Sequence, residues 1–212
     1  CNCPKDDGTV TDIDGNVYKT IKIGNQVWMA ENLNVSHYRN GDTILEVTYI
    51  WDWSNIEYGA WDYYKSKPEN GYVYGKLYNW HAVNDPRGLA PEGWRVAYDE
   101  DWKELEMYLG MSKEEADRYG WRGTNEGSKL AGKADLWLDG ALKDNNNFGT
   151  SGFNALAGSS RYAGDYSKNY NIAGWFWSCS EYASDTVWVR GIYYANTEIS
   201  RGDGSKYSGL SV

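Results

Sequence analysis

Apolar and polar residues alternate along the N-terminal segment, as they do in half-buried β-strands. The run VYKTIKI, residues 17–23, alternates β-branched or aromatic residues with polar ones. On either side of this run, Asp14-Gly15-Asn16 and Gly24-Asn25 supply the residue types that tight turns with positive φ require. The pattern predicts an antiparallel ribbon of three strands over residues 10–33.

Two helices are predicted between residues 99 and 119. The first begins with three acidic residues, carries an apolar stripe through Trp102 and Leu105, and ends at a glycine. The second begins with a capping box between Ser112 and Glu115. Because acidic residues favour the first turn of a helix, we expect those of both helices at caps and on solvent-exposed faces, not in a catalytic site.

Beyond residue 120 the chain is rich in Gly, Asn and Ser, and short apolar segments recur in it. GWFWSCS, TVWVRGIYY and GLSV are predicted strands joined by polar loops. Gly and Asp favour turns, so the tripeptide Arg201-Gly202-Asp203 is interpreted as part of a turn. The chain is expected to form one α+β domain over residues 9–212, with short antiparallel sheets, two helices and long loops.

Composition narrows the class of protein further. A formal net charge of -9 argues against nucleic-acid binding, which needs a basic surface. No apolar run reaches the roughly 18 residues of a membrane-spanning helix. The 12 Trp and 19 Tyr against 3 Phe favour half-buried or ligand-binding surfaces, since Trp and Tyr combine a flat apolar ring with a polar group.

Residues 46–80 concentrate aromatic side chains among acidic ones, and no helical or strand period accounts for them. Flat rings stack on the apolar faces of sugars while Asp, Asn and Glu bind sugar hydroxyls, so the segment is a candidate glycan platform. Burial of most of these rings in the core is the alternative, and both interpretations stay open. The candidate binding residues are Trp51, Trp53, Trp61, Tyr63 and Tyr64, with Tyr162, Tyr166 and Tyr170 as a facing wall.

Few residues suggest metal or catalytic chemistry. DIDGN at residues 12–16 resembles the start of a calcium loop, but Ile23 stands where such a loop needs a bidentate Glu, so a hairpin is favoured. Structural calcium in the oxygen-rich loops KDNNN and AGDYSKN stays open. His37 and His81 have no zinc-type spacing, and no P-loop, dinucleotide or G-x-S-x-G motif is present, so no enzyme activity is predicted.

Six stretches of the chain resemble the Fibrobacter succinogenes major paralogous domain, a family of surface proteins in Fibrobacter and Bacteroidetes. They are DIDGNVYKTIKIGNQVWMAENLN, YGKLYNWHAV, APEGWRV, GFNALAGSSR, GWFWSCSEY and GLSV, in the family's order. The resemblance implies a C-type lectin-like fold whose long loops carry recognition. Formylglycine-generating enzymes share that fold and bind copper through two cysteines, whereas residues 9–212 contain Cys179 alone, so such an activity is less favoured.

The family's pattern implies two further features. Many members have a Cys before Pro-Glu-Gly-Trp and another after the final Ser-Val, and these would pair. Ala90 stands in the first position and the sequence ends at Val212, so no such bridge is expected. Cys179 occupies a position where members commonly have Ser, which implies a small buried residue, not a nucleophile.

The N-terminal sequence CNCPKDDG resembles the start of a mature bacterial lipoprotein, in which Cys1 carries the lipid. Lys5, Asp6 and Asp7 resemble the acidic signal that directs Bacteroidetes lipoproteins to the extracellular face of the outer membrane. Residues 1–8 would then form a lipidated tether. Cys3 receives no role, since a disulfide to Cys1 would close almost no loop. A fragment boundary before Cys1 is the alternative.

These observations predict a non-catalytic surface lipoprotein, anchored in the outer membrane, that recognises a glycan or a protein through aromatic-rich loops. The alternative is an accessory lipoprotein subunit of an outer-membrane complex, such as a nutrient transporter or a protein-insertion machine. Large aromatic residues are also enriched at protein interfaces, so their excess fits this alternative as well.

Overall fold

The computed structural model describes residues 8–49, 53, 55–158, 160–162, 165–166 and 171–212, with the backbone alone at 162, 165 and 166. The strands are β1 (Thr9–Thr11), β2 (Val17–Ile23), β3 (Gln26–Met29), β4 (Leu45–Glu46), β5 (Ala60–Tyr63), β6 (Lys76–Tyr78), β7 (Gly120–Arg122), β8 (Arg161–Tyr162), β9 (Asp165–Tyr166), β10 (Ala173–Ala183), β11 (Thr186–Tyr193) and β12 (Ile199–Ser205). The α-helices are α1 (Gly71–Tyr74), α2 (Trp80–Val83), α3 (Asp99–Tyr108), α4 (Lys113–Ala116), α5 (Glu126–Leu130) and α6 (Ala141–Asp144). Among the described residues, every helix is too short or too polar to form a membrane span.

The N-terminal ribbon is an antiparallel sheet in the order β1-β2-β3, as the alternating pattern predicts. Its first turn is held by the Asp12 carboxylate, which accepts hydrogen bonds from the backbone N–H groups of Asp14 and Asn16 and from the Tyr18 hydroxyl. Asp side chains that bind nearby backbone N–H groups are typical of turns. The hairpin interpretation of DIDGN is therefore confirmed.

A four-stranded antiparallel sheet in the order β10-β11-β12-β7 contains the predicted strands GWFWSCS and TVWVRGIYY. The tripeptide that begins at Arg201 lies inside β12, where Arg201 is opposite Arg190 of β11 and Gly120 of β7. The turn prediction for this tripeptide is wrong, because all three residues pair with β11, and Arg201 also pairs with β7, which holds the tripeptide extended. The predicted strand GLSV is reduced to single bridges, which join Leu210 to Tyr78 and Ser211 to Phe176.

Hydrophobic clusters cover both faces of this sheet. Trp177, Val187 and Val189 pack in one cluster, while Phe176 and Ile192 pack in the other with residues of α3. Because side chains alternate along a strand, the neighbours Phe176 and Trp177 face opposite clusters. The strands of this sheet are consequently buried on both sides over much of their length.

Helix α3 begins at Asp99, as predicted, and buries Trp102 and Leu105. Half of the predicted capping box of α4 is present, since Ser112 Oγ accepts from the Glu115 N–H at 3.2 Å, whereas the Glu115 carboxylate lies 3.5 Å from Arg118. However, α4 ends at Ala116 and is shorter than predicted. Arg201 donates to the carbonyl of Asp117 at 2.9 Å, and side-chain donors at free carbonyls are a usual way to end a helix.

Three arginines from neighbouring strands converge against α3. Arg122 of β7, Arg190 of β11 and Arg201 of β12 are all buried, and so are Asp99 and Glu106 of α3. The two acidic residues are seven positions apart and share one side of the helix. The prediction that the acidic residues of α3 face solvent is wrong for both, because each carboxylate is the counter-ion of two buried guanidinium groups. The contacts are Asp99 to Arg190 and Arg201 at 2.8 Å each, Glu106 to Arg190 at 2.7 Å, and Glu106 to Arg122 at 2.5 Å.

Glu106→Ala is expected to lower the free energy of unfolding by about 3–5 kcal/mol, because the buried Arg122 loses its carboxylate partner and the buried Arg190 keeps only Asp99. The control is Glu104→Ala, at an exposed position of the same helix, with an expected change below about 0.5 kcal/mol. Urea unfolding followed by circular dichroism measures both. Equal effects of the two substitutions would contradict a stabilising role for the network.

Asp99 is expected to make stability depend on acidic pH. Burial raises the pKa of Asp99, but hydrogen bonds and charges from Arg201 and Arg190 outweigh burial and lower that pKa from 3.8 to about 2. Because the pKa is lower in the folded than in the unfolded state, the stabilisation is present above about pH 4 and is lost towards pH 2. It amounts to about 2 kcal/mol. Urea unfolding across this range should show a steeper loss in the wild type than in Asp99→Asn, and identical profiles would refute the assignment.

Candidate functional site

A cleft of about 550 Å³ lies between β3, residues 90–97 and the N-terminal end of α3. Its volume is within the usual range for small-molecule sites, and its wall is mostly apolar and aromatic, as in such sites. The segments that form it are far apart in sequence, so the cleft exists only in the folded chain. Residues that line it include Trp28, Met29, Pro91, Trp94, Val96 and Trp102.

Four aromatic rings pack together at the cleft. The ring centroid of Trp28 lies 5.2 Å from Trp102 and 5.4 Å from Phe153, and Trp102 lies 6.0 Å from Phe176. Tilted and edge-to-face contacts at these distances are favourable. Trp102, Phe153 and Phe176 are buried, whereas Trp28 and Trp94 are half-buried. Trp28 thus packs on an aromatic floor, and Trp28 and Trp94 both line the cleft and keep part of their surface accessible.

Gln26 holds Trp28 in place relative to α3. Its Nε2 donates to the carbonyl of Asp101 and its Oε1 accepts from the Trp28 indole N–H, both at 3.1 Å. On the floor, the Trp102 indole N–H donates to the carbonyl of Trp177 at 3.2 Å. These hydrogen bonds restrain the rings before any ligand arrives, which reduces the ordering cost of binding.

The charged residues at the cleft largely neutralise one another. Arg95 forms a bidentate pair with Asp101, with N–O distances of 2.5 and 2.8 Å. Burial raises the pKa of Asp101, but the hydrogen bonds from Arg95 and from the Tyr98 N–H lower it below its ordinary value. Glu31 accepts from the backbone N–H of Lys19 at 2.8 Å. Such a cleft suits a neutral ligand better than a strongly charged one.

Three residues of the predicted glycan platform are buried. Trp53, Trp61 and Tyr64 are only 1%, 6% and 5% exposed, and Tyr63 is half-buried. Rings that are covered by protein cannot stack on a sugar, so the prediction of a surface platform from these three residues is wrong. The alternative, burial of the rings in the core, is the arrangement observed.

Buried cations explain why these rings are inside. The Lys76 ammonium is 3% exposed and lies 4.1 Å from the centroid of the Trp61 ring and 5.5 Å from that of Tyr63. Burial lowers the pKa of Lys76 to about 8. The buried Arg161 guanidinium lies 4.6 Å from the Trp53 ring. Aromatic faces attract cations that have lost their water, so this segment stabilises internal charges.

The other predicted site residues lie wholly or partly outside the described residues. Tyr162 and Tyr166 belong to the paired strands β8 and β9, of which only the backbone is described. Their role as a facing wall, the lipid on Cys1 and the export signal stay predictions. The residues outside the description are Trp51, Tyr170, Cys1, Lys5, Asp6 and Asp7.

Cys179 and His81 show no catalytic arrangement. Burial raises the pKa of the Cys179 thiol to about 11, so the thiol is protonated at neutral pH and is a poor nucleophile. His81 lies in α2, and its Nε2 has no hydrogen-bond partner among the described residues. Asn79 begins that helix, and its Oδ1 accepts from the Ala82 N–H at 3.0 Å.

Metal ligands are the last kind of predicted site. In the described part of the chain, no group of three His, Cys, Asp or Glu side chains could hold a metal ion. Within the loop KDNNN, Asn145 Oδ1 accepts from the Asn147 N–H at 2.9 Å, which is turn chemistry. Most of the loop AGDYSKN lies outside the description. Structural calcium therefore stays a prediction.

The sequence offers little local reason to single out Trp28 or Trp94, because each is one Trp in a stretch of ordinary composition. A signal is nevertheless present in the motifs quoted above. Five of the six stretches that resemble the surface-protein family contribute residues to the cleft wall. Those residues are 25–29 and 31–33, 90–91 and 93–96, 153–154, 176–177 and 212.

Comparison with known proteins agrees with this resemblance. Neither the curated proteins nor the solved structures yielded a match to the chain. The sequence model of the Fibrobacter succinogenes major domain matches residues 21–212, which include every element from β3 onwards and the whole cleft. Because this match covers most of the 212 residues, the chain belongs to the Fibrobacter succinogenes major domain family.

Proposed function

We propose that the protein is a non-catalytic recognition module of the cell surface whose aromatic cleft binds a neutral carbohydrate. The observation that carries the proposal is a cleft of about 550 Å³ that is lined by two half-buried tryptophans, Trp94 and Trp28, the second of which packs on an aromatic floor. Flat indole surfaces suit the C–H faces of a pyranose ring. The proposed site thus moves from Trp53, Trp61 and Tyr64 to the cleft.

The electrostatics of the cleft support binding without catalysis. Hydrolysis of a glycosidic bond at neutral pH usually needs one carboxyl group that stays protonated as the general acid. Asp101 lines the cleft, but its lowered pKa and its bidentate pair with Arg95 keep it ionised. Glu31, the other carboxylate in the wall, binds a backbone N–H of the N-terminal ribbon.

The proposal includes a C-type lectin-like fold and a lipid anchor in the outer membrane. The mixture of short helices and small, mostly antiparallel sheets supports the lectin-like fold. The N-terminal sequence, which resembles the start of a mature lipoprotein, supports the lipid anchor. A surface location would give the cleft access to external polysaccharides.

Trp94→Ala is expected to weaken carbohydrate binding about tenfold, because stacking on one ring face contributes on the order of 1.4 kcal/mol. Trp121→Ala is the matched control, since Trp121 is also partly exposed but lies outside the cleft. Affinity electrophoresis in gels that contain xylan, galactomannan, starch or laminarin measures the retardation of each protein. The proposal fails if none of the four polysaccharides retards the wild type, or if Trp94→Ala is retarded as strongly as the wild type.

A second surface favours the alternative function, an accessory subunit of an outer-membrane complex. Tyr119 and Tyr182 are 58% and 50% exposed and pack with Trp188, whose ring centroid lies 4.6 Å from that of Tyr182. Exposed groups of large aromatic residues are typical of protein interfaces.

Extraction of the native protein in mild detergent, followed by mass spectrometry, tests this alternative. A stable outer-membrane partner should accompany the wild type. It should be lost from the double variant Tyr119→Ala, Tyr182→Ala, because these substitutions remove the two exposed rings that pack with Trp188. Tyr58→Ala, an exposed Tyr elsewhere, should retain the partner. A wild-type protein that is extracted alone would count against the subunit function.

A further inference from the structure

A second, smaller recess adjoins the cleft. Its volume is about 230 Å³, and three residues, Glu31, Asn32 and Asn154, line both depressions. These residues therefore form a shared wall between two parts of one groove. We call the second part the amide recess, because four asparagines line it: Asn16, Asn32, Asn34 and Asn154.

The asparagines of the amide recess offer hydrogen-bond acceptors, and Glu31 and Lys133 add one charge of each sign to its wall. The amide nitrogens of Asn16, Asn32 and Asn154 donate to protein oxygens at 2.8, 2.9 and 3.0 Å. The side-chain oxygens of Asn16 and Asn32 accept no hydrogen bond from any described residue, whereas Asn34 Oδ1 is covered by protein and Asn154 Oδ1 lies against Gly132. A carboxamide oxygen has two lone pairs, so a ligand rich in O–H donors would complement this wall.

An aromatic ring completes the recess. Tyr72 of α1 lines it with 93% of its surface exposed. Two glycines keep α1 close to the chain that carries the asparagines. A Cβ at Gly71 would lie 2.4 Å from the Tyr63 ring, and one at Gly75, which has φ +68, would lie 2.6 Å from the Leu33 carbonyl oxygen. The fold thus holds a nearly bare tyrosine ring beside the amide oxygens.

We propose that the amide recess is a second sugar subsite and that the ligand is an oligosaccharide that spans both parts of the groove. One sugar unit stacks on Trp28 and Trp94, and another lies between Tyr72 and the asparagine oxygens. This inference rests on the proposed function, because it extends the same site. An extended peptide fits less well, since its backbone offers one N–H donor per residue whereas a sugar unit offers several O–H donors.

The test measures how affinity depends on ligand length. Isothermal titration uses xylo-, cello-, manno- and malto-oligosaccharides of one to six units. For the series that binds, affinity should rise with length and then level off once both subsites are filled. Tyr72→Ala should weaken binding of the longer members about three- to tenfold and leave the monosaccharide unchanged, because only the longer ligands reach the amide recess.

Two control variants separate stacking from other effects. Tyr72→Phe keeps the ring and should bind like the wild type, and Tyr58→Ala removes an exposed ring outside the groove. If affinity is independent of length, or Tyr72→Ala binds the longer members as tightly as the wild type, the second subsite is refuted while the proposed function stands. If no sugar binds, or an extended peptide from a peptide array binds in place of sugars, both proposals fail.

Discussion

The buried ion network between α3 and the central sheet is the interaction on which the remaining architecture depends. Arg122, Arg190 and Arg201 come from three strands that pair with one another, and Asp99 and Glu106 neutralise them from one side of one helix. Taking charged groups out of water costs several kcal/mol each, and the cost is offset only when every partner is in place. The network therefore permits very few placements of α3 on the sheet.

The candidate site follows from that placement. Asp99 and Glu106 bracket Trp102 along α3, and the Arg190 guanidinium lies 5.9 Å from the centroid of the Trp102 ring. Trp102 is the floor of the cleft, and the carbonyl of its neighbour Asp101 binds Gln26, which in turn orients Trp28. A continuous series of contacts thus connects the charged core to the ring that we propose as a sugar platform.

The aromatic residues serve two physical purposes that composition cannot separate. In the segment around Trp53 and Trp61, rings pack against the buried cations of Arg161 and Lys76. Polar groups complete the surroundings of both cations, because Arg161 pairs with Asp62 and Lys76 donates to the Asn34 carbonyl. At the cleft, Trp28 and Trp94 keep part of their surface accessible. Tryptophan thus packs on a buried cation in one place and is a proposed ligand contact in another. The tertiary surroundings of each ring, and not its residue type, distinguish the two.

The sequence by itself determined the elements whose signals are local. The alternation around Val17–Ile23, the turn at Asp12 and the start of α3 at Asp99 each depend on a few adjacent residues, and the order of six short motifs was enough to indicate the family. Tertiary structure alone decided that Asp99 is buried, that the Arg201 tripeptide is a strand, and that Trp53, Trp61 and Tyr64 lie in the core. The reason is distance along the chain: Asp99 meets Arg190, 91 residues away, and no local pattern records such a partner.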